Sequence, residues 1–127
     1  QKLAPIPALL ACSYVNHQLN RLRKRSYFDI IIESAEPREP HHFATLFGYG
    51  ASAVNPYMVN EIIRMQVKEG FITGMDEQKA VDNFNTAIGK GILKVMNKIG
   101  ISTLHSYRGS QIFEIVETVP QPGLDCD

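Results

Sequence analysis

Apolar residues in the first stretch of the chain recur at the spacing of a helix. Leu9, Cys12, Val15, Leu19 and Leu22 fall three or four residues apart, which lines one face and predicts a helix over residues 8–22. Pro7 stands where that helix begins, a position at which its missing N–H is no loss. Arg21, Arg23, Lys24 and Arg25 gather cations at the other end, where the helix dipole favours them. The pattern then changes. Ile30-Ile31-Ile32 is a continuous β-branched run without alternation, which predicts a strand over residues 28–33 covered on both faces, as in a parallel sheet. A polar loop over residues 34–40 carries Pro37 and Pro40, and a short helix over 41–47 is stopped by Gly48 and Gly50. Residues 51–54 predict a second short strand, ended by Asn55-Pro56.

Met58, Ile62 and Met65 predict a helix over residues 57–68, broken by Gly70 and Gly74. The longest regular period belongs to Val81, Phe84, Ile88, Ile92, Val95 and Ile99, which predict a helix over residues 76–99. Asp76 and Glu77 suit its N-terminal dipole, Lys90, Lys94 and Lys98 stripe a different face near its end, and Gly100 supplies the stop. Gly89 and Gly91 each weaken the middle by about 1 kcal/mol relative to Ala, and point to close packing against another backbone. Residues 101–105 predict a third strand and residues 108–116 a last helix. Strand and helix thus alternate, which predicts an α/β fold: a small parallel sheet with right-handed crossovers. A complete (β/α) barrel needs about 250 residues, so the expectation is part of a barrel-like domain, with a small open three-stranded α/β domain as the competing architecture. The partial domain is expected over residues 1–117. Pro120, Pro122 and Gly123 mark a flexible tail over residues 118–127.

The 127 residues and 14.2 kDa suit a single domain with a real core. Thirteen basic and thirteen acidic residues give a net charge of zero, which argues against nucleic acid as a partner. No apolar run nears the ~20 residues of a membrane helix, and no signal peptide is visible. No membrane partner is therefore expected, and the location expected is the cytoplasm, or a plastid for a photosynthetic source. Cys12 and Cys126 are too few for a disulfide framework or a four-cysteine metal site. The chain opens on Gln1 rather than methionine, the expectation for a processed or excised piece of a longer protein.

Loops beyond strand C-termini build the sites of parallel α/β sheets. Glu36, Arg38, Glu39, His41 and His42 fall in such a loop and offer acid–base, metal or anion chemistry. Adjacent His41 and His42 point about 100° apart on a helix and do not easily share one metal. The plainer reading has Glu39 capping the helix and Arg38 paired with a carboxylate. Gly48-Tyr49-Gly50 lies between a helix and a strand, the wrong context for a dinucleotide fingerprint, and reads as a helix stop. Ser106, Arg108 and Ser110 frame the predicted last helix and form an anion-site candidate, against plain N-capping by Ser106. Cys12 reads as a small buried residue of an apolar helix face. No catalytic residue and no metal ligand is assigned.

Several long blocks of residues 9–57 and 79–114 resemble the large subunit of glutamate synthase. The first is Glu33-Ser34-Ala35-Glu36-Pro37-Arg38-Glu39-Pro40-His41-His42-Phe43-Ala44, followed by Gly48-Tyr49-Gly50-Ala51 and Ala53-Val54-Asn55-Pro56-Tyr57. Lys90-Gly91-Ile92-Leu93-Lys94-Val95-Met96-Asn97-Lys98-Ile99-Gly100-Ile101-Ser102-Thr103 and Ser106-Tyr107-Arg108-Gly109-Ser110-Gln111-Ile112-Phe113-Glu114 complete it. Their order is similar to that family's segment at the end of the central domain, leading into the FMN-binding synthase domain. The resemblance implies an oxidoreductase that makes two glutamates from glutamine and 2-oxoglutarate, with FMN and a three-iron cluster elsewhere in the parent. It implies the remaining domains of the large subunit as partners, with a homo-oligomer as a further possibility. The family's terminal nucleophilic cysteine and cluster-binding cysteines have no counterpart here, so no cofactor is expected in this chain. Where the family has a run of histidines only His17 stands, and the likeness fades after Glu114. The expected role is a fragment that supports the flavin domain and the ammonia path. The alternatives are a stand-alone flavin- or phosphate-binding α/β module and a structural piece that dimerises through open sheet edges.

Overall fold

In the computed structural model, described for residues 6–110, 112 and 113, α1 (Ala8–Arg21) forms where its three-and-four spacing predicts, with Pro7 at the N-cap. Arg23 adopts a positive φ of 55° and turns the chain back on itself. A 3-10 turn (Arg25–Tyr27) then leads into β1 (Ile31–Glu33). Next, α2 (Pro40–Gly48) starts on Pro40, which needs no N–H in the first turn. Strand β2 (Ala53–Asn55), α3 (Tyr57–Lys68) and α4 (Glu77–Lys98) follow. The described residues close on α5 (Leu104–Tyr107) and the irregular segment after it.

Strands β1 and β2 are parallel, in the register Ile31 to Ala53, Ile32 to Val54 and Glu33 to Asn55. Among the described residues both are covered on one face only. Ile30 is buried in one cluster with Cys12, Leu46, Tyr49 and Ala51, and Ile32 and Val54 pack against that cluster. Helices α1 and α2 supply Cys12 and Leu46, so both lie on this face. On the other face Ile31, Glu33, Ala53 and Asn55 are exposed, Ile31 by 71%. The expectation of a strand covered on both faces is corrected accordingly: with both helices on one side, nothing among the described residues covers the other. The α/β class holds, and a helix-covered face opposite an open one is compatible with part of a (β/α) barrel.

Helix α4 is the packing spine. The Asp76 carboxylate caps it, accepting from Lys79 N at 2.7 Å. It packs on α2 and on α3. Val81 and Ile88 are buried, and Phe84 meets Phe43 of α2 edge-to-face, with centroids 6.4 Å apart. Gly91 explains one helix-interior glycine: a Cβ there would stand 2.5 Å from Pro40 Cγ. Gly89 faces open space, with nothing within 4 Å of a Cβ.

The third strand is not formed. Residues 101–103 are irregular and 104–107 are helical. Local capping prevails over the extended tendency: Ser106 N donates to Thr103 Oγ1 at 3.4 Å, and Thr103 Oγ1 donates to Ser106 Oγ at 2.7 Å. The fully buried Tyr107 then pins this turn by donating its hydroxyl to Ala44 O at 2.6 Å. The predicted last helix over 108–116 is absent wherever it is described: residues 108–110, 112 and 113 are not helical. Its remainder, the predicted tail and Cys126 lie outside the described residues.

Candidate functional site

The loop after β1 is built around fixed local contacts. Glu36 Oε2 accepts from Ala8 N at 2.9 Å, so this carboxylate serves the first turn of α1. Pro37 beside it is fully buried. Arg38 N donates to His42 Nδ1 at 3.1 Å, while His42 Nε2 lies 3.4 Å from Glu39 Oε1. Glu39 occupies the N-cap of α2, yet its side chain makes no capping hydrogen bond, and among the described ion pairs none involves Arg38. Glu36 and His42 share a small cleft of about 250 Å³ with Leu9 and Leu46. His41 lies on a separate cleft of about 870 Å³, beside Lys90 and Lys94. The two histidines thus diverge, as adjacent helical positions must. Among the described residues no three His, Cys, Asp or Glu side chains gather as a metal ion would require.

Arg108 sits at the opposite end of the strand pair. Its Nη1 lies 3.3 Å from Ser52 Oγ and 3.8 Å from Asp29 Oδ1, just ahead of β2 and β1. Ser52 Oγ in turn donates to Asp29 Oδ1 at 2.8 Å. Ser106 and Ser110 do not join Arg108: Ser106 pairs with Thr103, and Ser110 Oγ donates to Tyr107 O at 2.6 Å. Ser106 and Ser110 thus make no hydrogen bond to Arg108, and the helix whose N-terminus the predicted anion candidate was to use is not formed at residues 108–110.

Arg25 is the partner that sequence reasoning missed. Its Nε donates to Asn16 Oδ1 at 2.8 Å, its Nη1 to Phe28 O at 2.6 Å and its Nη2 to Gly50 O at 2.7 Å. Gly50 permits this approach with a φ of 111°; a Cβ there would meet the Asn16 side chain at 2.6 Å. Arg25 and Arg108 line a cleft of about 440 Å³ with Asn16, Asn20, Ser26 and His105. The signal for it lay in the cationic run after α1, which by itself reads as a solvated helix end. Behind this wall Cys12 is buried as expected, its Sγ 3.8 Å from Leu46 O and 3.7 Å from Tyr49 O. Burial pushes the thiol above its ordinary value; the Arg25 charge and a backbone hydrogen bond from Ala51 oppose this only in part.

No helix among the described residues is long and apolar enough to cross a membrane. The glutamate synthase central domain family matches residues 1–117. The chain is 47% identical over 116 residues to the glutamate synthase [NADPH] large chain of Bacillus subtilis, an alignment covering 91% of this chain and 8% of that protein. It is 47% identical over 111 residues to the glutamate synthase [NADH] of Schizosaccharomyces pombe, covering 87% of this chain and 5% of that protein. With the ferredoxin-dependent glutamate synthase of Pyropia yezoensis the identity is 41% over 120 residues, covering 87% and 8% respectively. The chain thus spans less than a tenth of the length of these relatives, and it belongs to the glutamate synthase central domain family.

Proposed function

We propose that this chain acts as a framework segment of a glutamate synthase large chain, an enzyme of ammonia assimilation that forms two glutamates from glutamine and 2-oxoglutarate. It supports the flavin-binding domain and helps wall the ammonia path. FMN and the three-iron cluster belong to the remaining domains, which are its partners, and the compartment is the cytoplasm or a plastid. One observation carries the framework role: a parallel strand pair with helices on one face and Ile31, Glu33, Ala53 and Asn55 exposed on the other. Strands of a (β/α) barrel are clad in this way, with helices outside and a second face turned inward. A chain aligned with 8% or less of its relatives' length leaves ample protein to meet that face.

The test has two arms. The purified chain with glutamine, 2-oxoglutarate, FMN and a reductant should form no glutamate above a protein-free control; formation well above it would refute the framework reading. Excising this segment from a full-length large chain should abolish 2-oxoglutarate-dependent glutamate formation and lower bound FMN. Retention of both would equally refute it.

A further inference from the structure

We infer that the cleft between the end of α1, the 3-10 turn and the segment after α5 binds a small oxyanion, a carboxylate or phosphate group. The inference stands on the cleft's own geometry, independently of the framework role. Of the described residues lining it, the formally charged ones, Arg25 and Arg108, are both cationic, and none is acidic. Asp29, the carboxylate nearest Arg108, is 73% exposed and stands at 3.8 Å.

The donors are set in place before any ligand arrives. Arg25 is held by three hydrogen bonds of 2.6–2.8 Å, two of them to backbone carbonyls. A guanidinium carries five N–H groups, so Arg25 keeps donors beyond those three. Asn16 is only 4% exposed and lines the same cleft, and its oxygen is taken by Arg25. What Asn16 has left to offer is its amide N–H, again a donor. Arg108 Nε is buried and has no partner among the described residues, and the Nη1 contacts of the same guanidinium are long, at 3.3 and 3.8 Å. A buried donor without an acceptor is an unfavourable state, and the guanidinium that carries it stands under-satisfied at the wall of the cleft. The remaining N–H groups of two guanidinium groups and of an amide, all donors, match the oxygens of a carboxylate or a phosphate. Asn20 and Ser26 stand exposed at the rim, where a ligand's remaining part would meet solvent.

The experiment titrates the full 127-residue chain, at constant ionic strength held with chloride, with inorganic phosphate and separately with succinate. Side-chain NMR signals of the Arg25 and Arg108 Nε–H groups and the Asn16 amide are followed. A saturable shift with either probe is expected, and the probe that saturates assigns the head group; saturation by neither overturns the inference. Arg108→Ala should weaken binding about ten-fold or more. Asn20→Asp adds a carboxylate at an exposed lining position without disturbing the core, and should weaken it comparably. Arg64→Ala on α3 should leave it unchanged. Equal affinity in wild type and Asn20→Asp, with the fold intact by thermal melting, would overturn the inference even if Arg108→Ala failed to fold. None of these outcomes bears on glutamate formation, so this site and the framework role fail separately.

Discussion

Cys12 and Tyr107 place two acidic protons inside the molecule, and burial raises both above their ordinary values of 9.0 and 10.0. Each group holds its proton to higher pH in the folded chain than in the unfolded one. The resulting stabilisation is complete below the unfolded values and is lost as pH rises past them, because only the unfolded chain then releases the protons. Urea midpoints should hold level through neutral pH and fall above about pH 9, and Cys12→Ala should flatten the first part of that fall. A midpoint unchanged through the titration range of both groups would contradict the assignment. The burial of Cys12 was legible in the spacing Leu9, Cys12, Val15. Arg25 was not, because its role depends on Arg23 turning the chain back and on a glycine at position 50, a tertiary meeting across 25 residues. Arg108 stands out in the sequence as part of an anion-site candidate, but its contacts with Ser52 and Asp29 do not. Ser52 and Asp29 reach it only through the parallel register of the strands.

Helix α4 offers a comparison two residues apart on one element. At Gly91 a methyl would enter the Pro40 ring, which has no rotamer to yield, so Gly91→Ala should destabilise the α2–α4 seam by about 1–3 kcal/mol. At Gly89 a methyl would meet nothing, and the lower helix propensity of glycine is all that changes. Gly89→Ala should therefore stabilise the chain by up to about 1 kcal/mol. Opposite signs in urea denaturation are the expected outcome; destabilisation of similar size at both positions would show that the seam does not run along Pro40. Long helices of this kind are read easily from sequence, since α1, α3 and α4 each repeat their apolar spacing over several turns. The segment after α4 is read poorly for the converse reason. Ile101, Ser102 and Thr103 favour extension locally. A four-residue helix is too short to be signalled by period and stands here on the Thr103 cap and the buried Tyr107.

At the scale of the whole molecule, apolar surface is left that no element among the described residues covers. Beside the 71% exposed Ile31 lie Phe28 at 54% and Val15 at 43%, and the outward side of α1 adds Leu10 at 55% and Tyr14 at 64%. Side-chain burial of this size contributes about 1.5–3 kcal/mol each, enough for several residues to drive association once chains meet. The strand edge adds a directional element. The bonds Ser52 N to Ile30 O and Ser34 N to Asn55 O turn the even-numbered backbone groups of β1 toward β2. Those of Ile31 and Glu33 point the other way, as a template for further pairing. In the parent protein this surface is where neighbouring domains are proposed to lie; in the isolated chain a second copy is the available substitute. Light scattering should give a weight-average mass that climbs above 14.2 kDa with concentration. Ile31→Lys sets a charge at an exposed edge position without entering the core, and should hold the mass near the monomer value while moving the urea midpoint little. A wild-type chain that stays monomeric at high concentration, with an unfolding free energy well above about 5–15 kcal/mol, would mean that it closes its own core. The physical support for its place inside a larger α/β body would then be lost.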